Sequence, residues 1–196
     1  MTPVVWGRGI CDTIRNSFRC ATTIERSKIL LSQGTVAVDQ DSICFRGRGW
    51  HGCLPREAGH PDWRGSLVYV GTLTRPWVHV LWLQFPEGSA VRLVDVQSGA
   101  VHAMEDLPVP SPDGRRLLIA SGDLEAQYSP NRLAVWRWEP QGPVNEWQIE
   151  PTEWEAREVQ WLNDSSFSVT RVYPFVQGYP SDTTVVRRAA DGWRLP

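Results

Sequence analysis

No apolar run in this chain is long enough to cross a bilayer, which excludes a membrane-spanning helix. No basic stretch, apolar stretch and small-residue cleavage site open it in succession, so an exported form would be one whose leader has been removed. The basic excess of a dedicated nucleic-acid binder is missing too, since the formal net charge is −2. Catalytic signatures are equally scarce. There is no Gly-x-Ser-x-Gly elbow and no phosphate-cradling glycine loop. None of His51, His60, His79 and His102 sits at a metal spacing or beside a nucleophile. The expectation is a non-enzymatic protein without a cofactor. Lysine is nearly absent as well, Lys28 being the single one among 20 basic residues. Arginine prefers bidentate pairing and stacking, but this bias points to no particular function.

What is present is unevenly placed. Residues 1–60 hold 8 basic and 5 acidic side chains, whereas residues 61–196 hold 12 and 17. All four cysteines, Cys11, Cys20, Cys44 and Cys53, fall in the first 53 residues at spacings of 9, 24 and 9. These spacings lack the close pairs of a zinc site, so no metal is expected. An even number confined to one segment is instead the pattern of a local disulfide framework, with connectivity open, in a periplasmic or secreted protein. A cytoplasmic protein with four thiols is the alternative. At 196 residues with 41% hydrophobic content the chain can bury a substantial core. Its 11 tryptophans point to packing between sheets, a recognition surface, or both.

Residues 1–66 read as a helix, a hairpin and a disulfide-prone segment with a long loop, continuous with a strand-rich region over 67–196. The helix is expected over 13–32, capped by Asp12 and stopped at Gly34, with Ile14, Phe18, Ala21, Ile24 and Ile29 on one face. Glu25 intrudes on that face, where a pairing with arginine at the core edge is the expected arrangement. Two short strands, Thr35–Val38 and Ser42–Phe45, flank a turn at Asp39-Gln40-Asp41. Residues 46–66 show no regular pattern and read as a long loop. From residue 67 onward strands alternate with turns: 67–73, 77–85, 90–96, 101–104, 117–121, 133–138, 146–149, 158–162, 167–172 and 184–188. His79 lies in the second of these, pointing away from its apolar neighbours in sequence. At Ser111-Pro112-Asp113-Gly114, Asp113 can bond its own backbone two residues on and Gly114 can take a positive φ.

A weak repeat underlies this order. Asp113 and Asp164 open two units 51 residues apart, and Gly99, Gly142 and Gly192 close successive hairpins at separations of 43 and 50. Ser111-Pro112-Asp113-Gly114 before Leu117-Leu118-Ile119 resembles the blade-opening motif of periplasmic Tol-system β-propellers. Leu133-Ala134-Val135-Trp136 is similar to the third strand of a WD-repeat blade, although Arg137 stands where that repeat has aspartate. The resemblance covers residues 77–196 and implies blade-like sheets, too few to close a ring. The expected fold is therefore mainly β, an open, incomplete propeller-like or sandwich arrangement of antiparallel sheets with one N-terminal α-helix.

Two stretches are candidate sites. Residues 138–161 interleave Trp138, Trp147, Trp154 and Trp161 with six glutamates, and Arg157 is the single basic residue among them. Large aromatics anchor interfaces and carboxylates steer a basic partner. Trp138 and Trp161 fall in strands and are assigned to the core. Trp147, Trp154, Glu150, Glu153 and Glu155 are the expected partner-binding residues of an inhibitor or immunity-type protein directed at a toxin or hydrolase. The second candidate is the 46–66 loop with Trp50, His51, His60, Asp62 and Trp63. It could serve a carbohydrate or small ligand, with Arg46, Arg48 or Asp62 as polar anchors, or a hydrolase.

Overall fold

The computed structural model describes residues 17–58, 65–85 and 88–196. The expected mainly-β fold with an N-terminal helix is observed: one helix and four antiparallel sheets, with no closed barrel among the described residues. The chain divides into two compact units between residues 104 and 105.

In the first unit, α1 (Ser17–Leu31) leads into a three-stranded sheet of β1 (Val36–Val38), β2 (Ser42–Arg46) and β3 (His51–Pro55). A five-stranded meander follows, made of β4 (Glu57–Ala58), β5 (Gly65–Thr74), β6 (Trp77–Phe85), β7 (Gly88–Asp95) and β8 (Val101–Met104). The expected long loop over 46–66 thus contains β3 and β4. His51–Pro55 is strand because its backbone completes the ladder of β2, which periodicity within the segment did not reveal. The expected helix start and its Asp12 cap, with Ile14 and the Phe18 side chain, lie outside the described residues. Its end is as expected, with Gly34 at φ +80°.

Helix α1 lays Cys20, Ala21 and Ile24 against β5, with Glu25 buried beside them. The Glu25 carboxylate accepts the Tyr69 backbone N–H at 2.9 Å and a hydrogen bond from Arg56 Nη2, also at 2.9 Å. This is the expected glutamate–arginine pair, and it also ties the helix to β5 backbone. The Asp39 turn closes as expected too: Asp39 Oδ1 accepts the N–H groups of Asp41 and Ser42 at 2.9 and 2.7 Å. Val36, Ile43, Phe45, Leu67, Tyr69, Leu81, Leu83 and Val94 form one core cluster.

At the centre of the meander β6 is buried on both faces from Val78 to Leu81. His79 is therefore inside, 1% exposed. Its Nδ1 lies 2.8 Å from Thr72 Oγ1, which lies 2.7 Å from the Tyr69 hydroxyl, and Phe45 stacks on its ring at 5.0 Å. Burial pushes the His79 pKa from its usual 6.5 down to about 4. The unfolded chain then binds the extra proton between these values. The neutral-His79 contribution is whole above the unfolded pKa and is lost as pH falls toward the folded one. Asp106, which burial pushes up to about 6, acts in the opposite sense. The informative quantity is therefore a difference: between pH 7 and pH 4.5, His79→Gln should lose about 2 kcal/mol less stability than the wild type in urea unfolding. Equal losses would mean that the folded and unfolded chains take up the His79 proton over the same pH range, and so that burial does not lower its pKa.

The second unit consists of two four-stranded meanders. One comprises β9 (Val109–Pro110), β10 (Arg116–Ser121), β11 (Arg132–Glu139) and β12 (Gly142–Ile149). The other comprises β13 (Glu155–Asn163), β14 (Ser166–Val172), β15 (Ser181–Ala189) and β16 (Gly192–Arg194). Leu118, Leu133, Val135, Trp161, Phe167, Val169 and Trp193 share one core, in which Phe167 and the rings of Trp161 and Trp193 lie 5.4 to 5.7 Å apart. The turn before β10 has the expected chemistry. Asp113 Oδ1 accepts the Arg115 N–H at 2.9 Å, and Gly114 sits at φ +69°. The two repeat-opening aspartates also meet: Asp164 Oδ1 accepts the Asp113 N–H at 2.8 Å.

Candidate binding surface

The acidic tryptophan segment divides between core and surface. Trp154 is 9% exposed and belongs to the core of the second unit, with the Arg171 guanidinium 5.8 Å above its ring. Trp147 is half-buried and meets Phe167 edge-on at 6.3 Å. Trp161 is core, as assigned, whereas Trp138 is half-buried. Glu155 is 1% exposed: its Oε1 accepts the Leu124 N–H at 2.7 Å, and Arg157 lies 2.5 Å from Oε2. It braces the β10–β11 loop from inside and is not available to a partner. β13 starts at Glu155, and its first two residues, with Trp154 before them, turn inward. Glu150 and Glu153 do lie on the surface. Glu150 receives Arg132 Nε and Nη2 at 3.0 and 2.5 Å.

Around Glu150 and Glu153 three connections converge on one end of this unit: β10–β11 (122–131), β12–β13 (150–154) and β14–β15 (173–180). Asn131 Nδ2 donates to the carbonyls of Pro151 and Trp154 at 2.6 and 2.8 Å, joining the first two. The Tyr179 hydroxyl donates to Glu125 Oε1 at 3.2 Å, joining the first and third. That bond pushes the Tyr179 phenol above its usual pKa, so it stays a donor. Within the first loop Asp123 accepts the N–H groups of residues 126 to 129 at 2.8 to 3.2 Å. Gln127 and Tyr179 hold positive φ values of 59° and 50°. Such conformations cost a non-glycine residue about 1 kcal/mol or more and gather where the chain must present a surface.

What these loops present is apolar. Tyr128, Phe175, Val176 and Tyr179 are 57%, 67%, 51% and 57% exposed. Their charges are of one sign: Asp123, Glu125, Glu150 and Glu153, with no lysine or arginine in any of the three loops. Sequence reasoning missed the aromatic part. The available signal was Tyr173-Pro174-Phe175-Val176-Gln177-Gly178-Tyr179-Pro180, an uncharged connection in a chain with 21% charged residues.

The second candidate stretch behaves differently. Trp50 is half-buried between glycine backbones, and a Cβ would come within 1.9 Å of its ring at Gly47 and 2.9 Å at Gly99. Its Nε1 donates to the Val96 carbonyl at 2.8 Å. The indole pegs the β7–β8 turn and offers no free stacking face between those glycines. His51 is exposed on β3, as are Arg46 and Arg48 on the surface nearby in sequence. His60, Asp62 and Trp63 lie outside the described residues, as does Cys11. Cys44 and Cys53 form a disulfide, and Cys20 is also disulfide-bonded. Such bonds are compatible with an oxidising compartment. No helix among the described residues is long and apolar enough to cross a membrane. In comparisons with known proteins, no family model, curated protein or solved structure matches this chain.

Proposed function

We propose that this chain is a non-enzymatic protein-binding module that takes a basic partner on the loop end of its second unit. The observation that carries the reading is the pairing of four exposed apolar side chains with loops whose charges are all negative. Rigid aromatics supply contact area at low entropic cost, and one-signed charge speeds encounter with an oppositely charged surface. The bracing of these loops by Glu155, Asp123 and Asn131 supports it, since a preorganised surface loses less entropy on binding. The most concrete form is an exported inhibitor or immunity-type protein that occludes a toxin or hydrolase of its own compartment. The Cys44–Cys53 disulfide is compatible with export. The two four-stranded meanders support blade-like repeats as the frame.

The test uses the protein as bait in an extract of its source organism, followed by affinity measurement with the retained partner. Phe175→Ser and Tyr179→Ser should each weaken the complex about 30-fold, the weight of a hot-spot residue, while leaving thermal unfolding unchanged. Glu153→Lys should slow association, most at low salt. Full affinity in both loop variants would place the interface elsewhere. Failure to retain any protein on folded bait would move attention to sugars and hydrolysable substrates.

A further inference from the structure

The β2–β3 hairpin carries its chemistry on the face turned away from the core. Ile43 and Phe45 point inward, 0% and 2% exposed, so alternation puts Ser42, Cys44 and Arg46 on the other side. Register sets Cys44 opposite Cys53 and Arg46 opposite His51. His51 and Cys53 are two residues apart on β3 and share this face. Both are exposed. The two sulfurs and a His51 ring nitrogen all lie within 4.8 Å of one another.

As a disulfide the two sulfurs carry no charge and cannot serve as thiolate ligands. Thiol–disulfide exchange with two equivalents of a small thiol cleaves the S–S bond, oxidises the reagent to its disulfide, and leaves two protein thiols. Two thiolates and a neutral imidazole are a Zn²⁺ donor set, with the fourth tetrahedral position open to water. Ligand atoms in such a site stand about 3.6 Å apart, so side-chain rotations on the order of 1 Å complete it. Ile43 and Phe45 hold the hairpin to the core whether or not the sulfurs are joined. We infer that Cys44, Cys53 and His51 form a Zn²⁺ site in the reduced protein, and that the disulfide is its closed state. Binding releases the two thiol protons.

The test compares oxidised protein with protein reduced anaerobically by a phosphine that is then removed. Zn²⁺ is titrated in competition with a chromophoric chelator, and Co²⁺ reports thiolate ligation by its charge-transfer absorption. Reduced protein should bind one equivalent, oxidised protein none, and His51→Ala should bind at least 10-fold more weakly. The double variant Cys44→Ser/Cys53→Ser, which keeps Cys11 and Cys20, should lose the cobalt–thiolate band. Binding by that double variant equal to the wild type's would overturn the inference. So would binding unaffected by His51→Ala, or native near-UV circular dichroism that is lost on reduction and not restored by Zn²⁺.

Discussion

Replacing Trp154 by alanine is expected to destabilise the second unit by about 4 kcal/mol, a large part of the stability of a domain this size. Trp154 is 9% exposed and packs in the cluster that includes Leu118, Leu133, Val135 and Phe167. Truncation removes the ring's apolar burial and leaves a cavity. The strands around it are held by the β10–β11 ladder and by the β13–β14 ladder, which is bulged between Ala156 and Glu158 and between Trp161 and Asn163, so they close in only partly. It also strips the Arg171 guanidinium of the ring beneath it, although Arg171 keeps its pair with Asp182 at 2.6 Å. Urea unfolding followed by near-UV circular dichroism should show a lower midpoint with an unchanged slope. Phe175→Ser, at a 67% exposed position, should stay within about 0.5 kcal/mol of the wild type. The contrast separates the aromatic residues that build this unit from those that face a partner. A Trp154→Ala protein as stable as the wild type would mean that the ring is not part of the core.

Glu25→Ala should be nearly as damaging in the first unit, at about 3 kcal/mol. It leaves the Tyr69 N–H without its acceptor inside the protein and the Arg56 guanidinium without its counter-charge. The carboxylate side chain is 6% exposed and the Arg56 side chain 19%, so arginine recovers some hydration while the backbone donor does not. Glu25→Gln keeps an oxygen for Tyr69 and removes the ion pair, and should lose about half as much. Equal effects of the two variants would assign the whole contribution to the ion pair. Less than about 1 kcal/mol for Glu25→Ala would show that α1 is held by its apolar face alone.

The candidate surface was half legible. Glu150 and Glu153 were marked from composition, and they do border the exposed loops. Trp147 and Trp154 were chosen for their flanking carboxylates, yet large rings beside a strand start are drawn inward when a second sheet lies within reach. Glu155 looked like one more surface acid. Its burial follows from a need in another loop, the unpaired Leu124 N–H, 31 residues away in sequence.

Local physics determined much of this chain. Short apolar, β-rich runs between turn signals marked the strands. Asp, Pro and Gly marked the turns at Asp39, Asp113 and Asp164, because a turn's geometry is set by a few adjacent residues and their own backbone bonds. The Glu25–Arg56 pair was foreseeable as well, since a charge on an apolar helix face must find a partner. Tertiary structure decided the rest. Strand register turned a nine-residue spacing into direct apposition of Cys44 and Cys53 beside His51. Sheet pairing brought to one end loops whose joining bonds span 20 and 54 residues of sequence, and aromatic side chains from two of them are exposed there. Contacts of this kind depend on which strand ladders against which, and no single window of sequence contains that information.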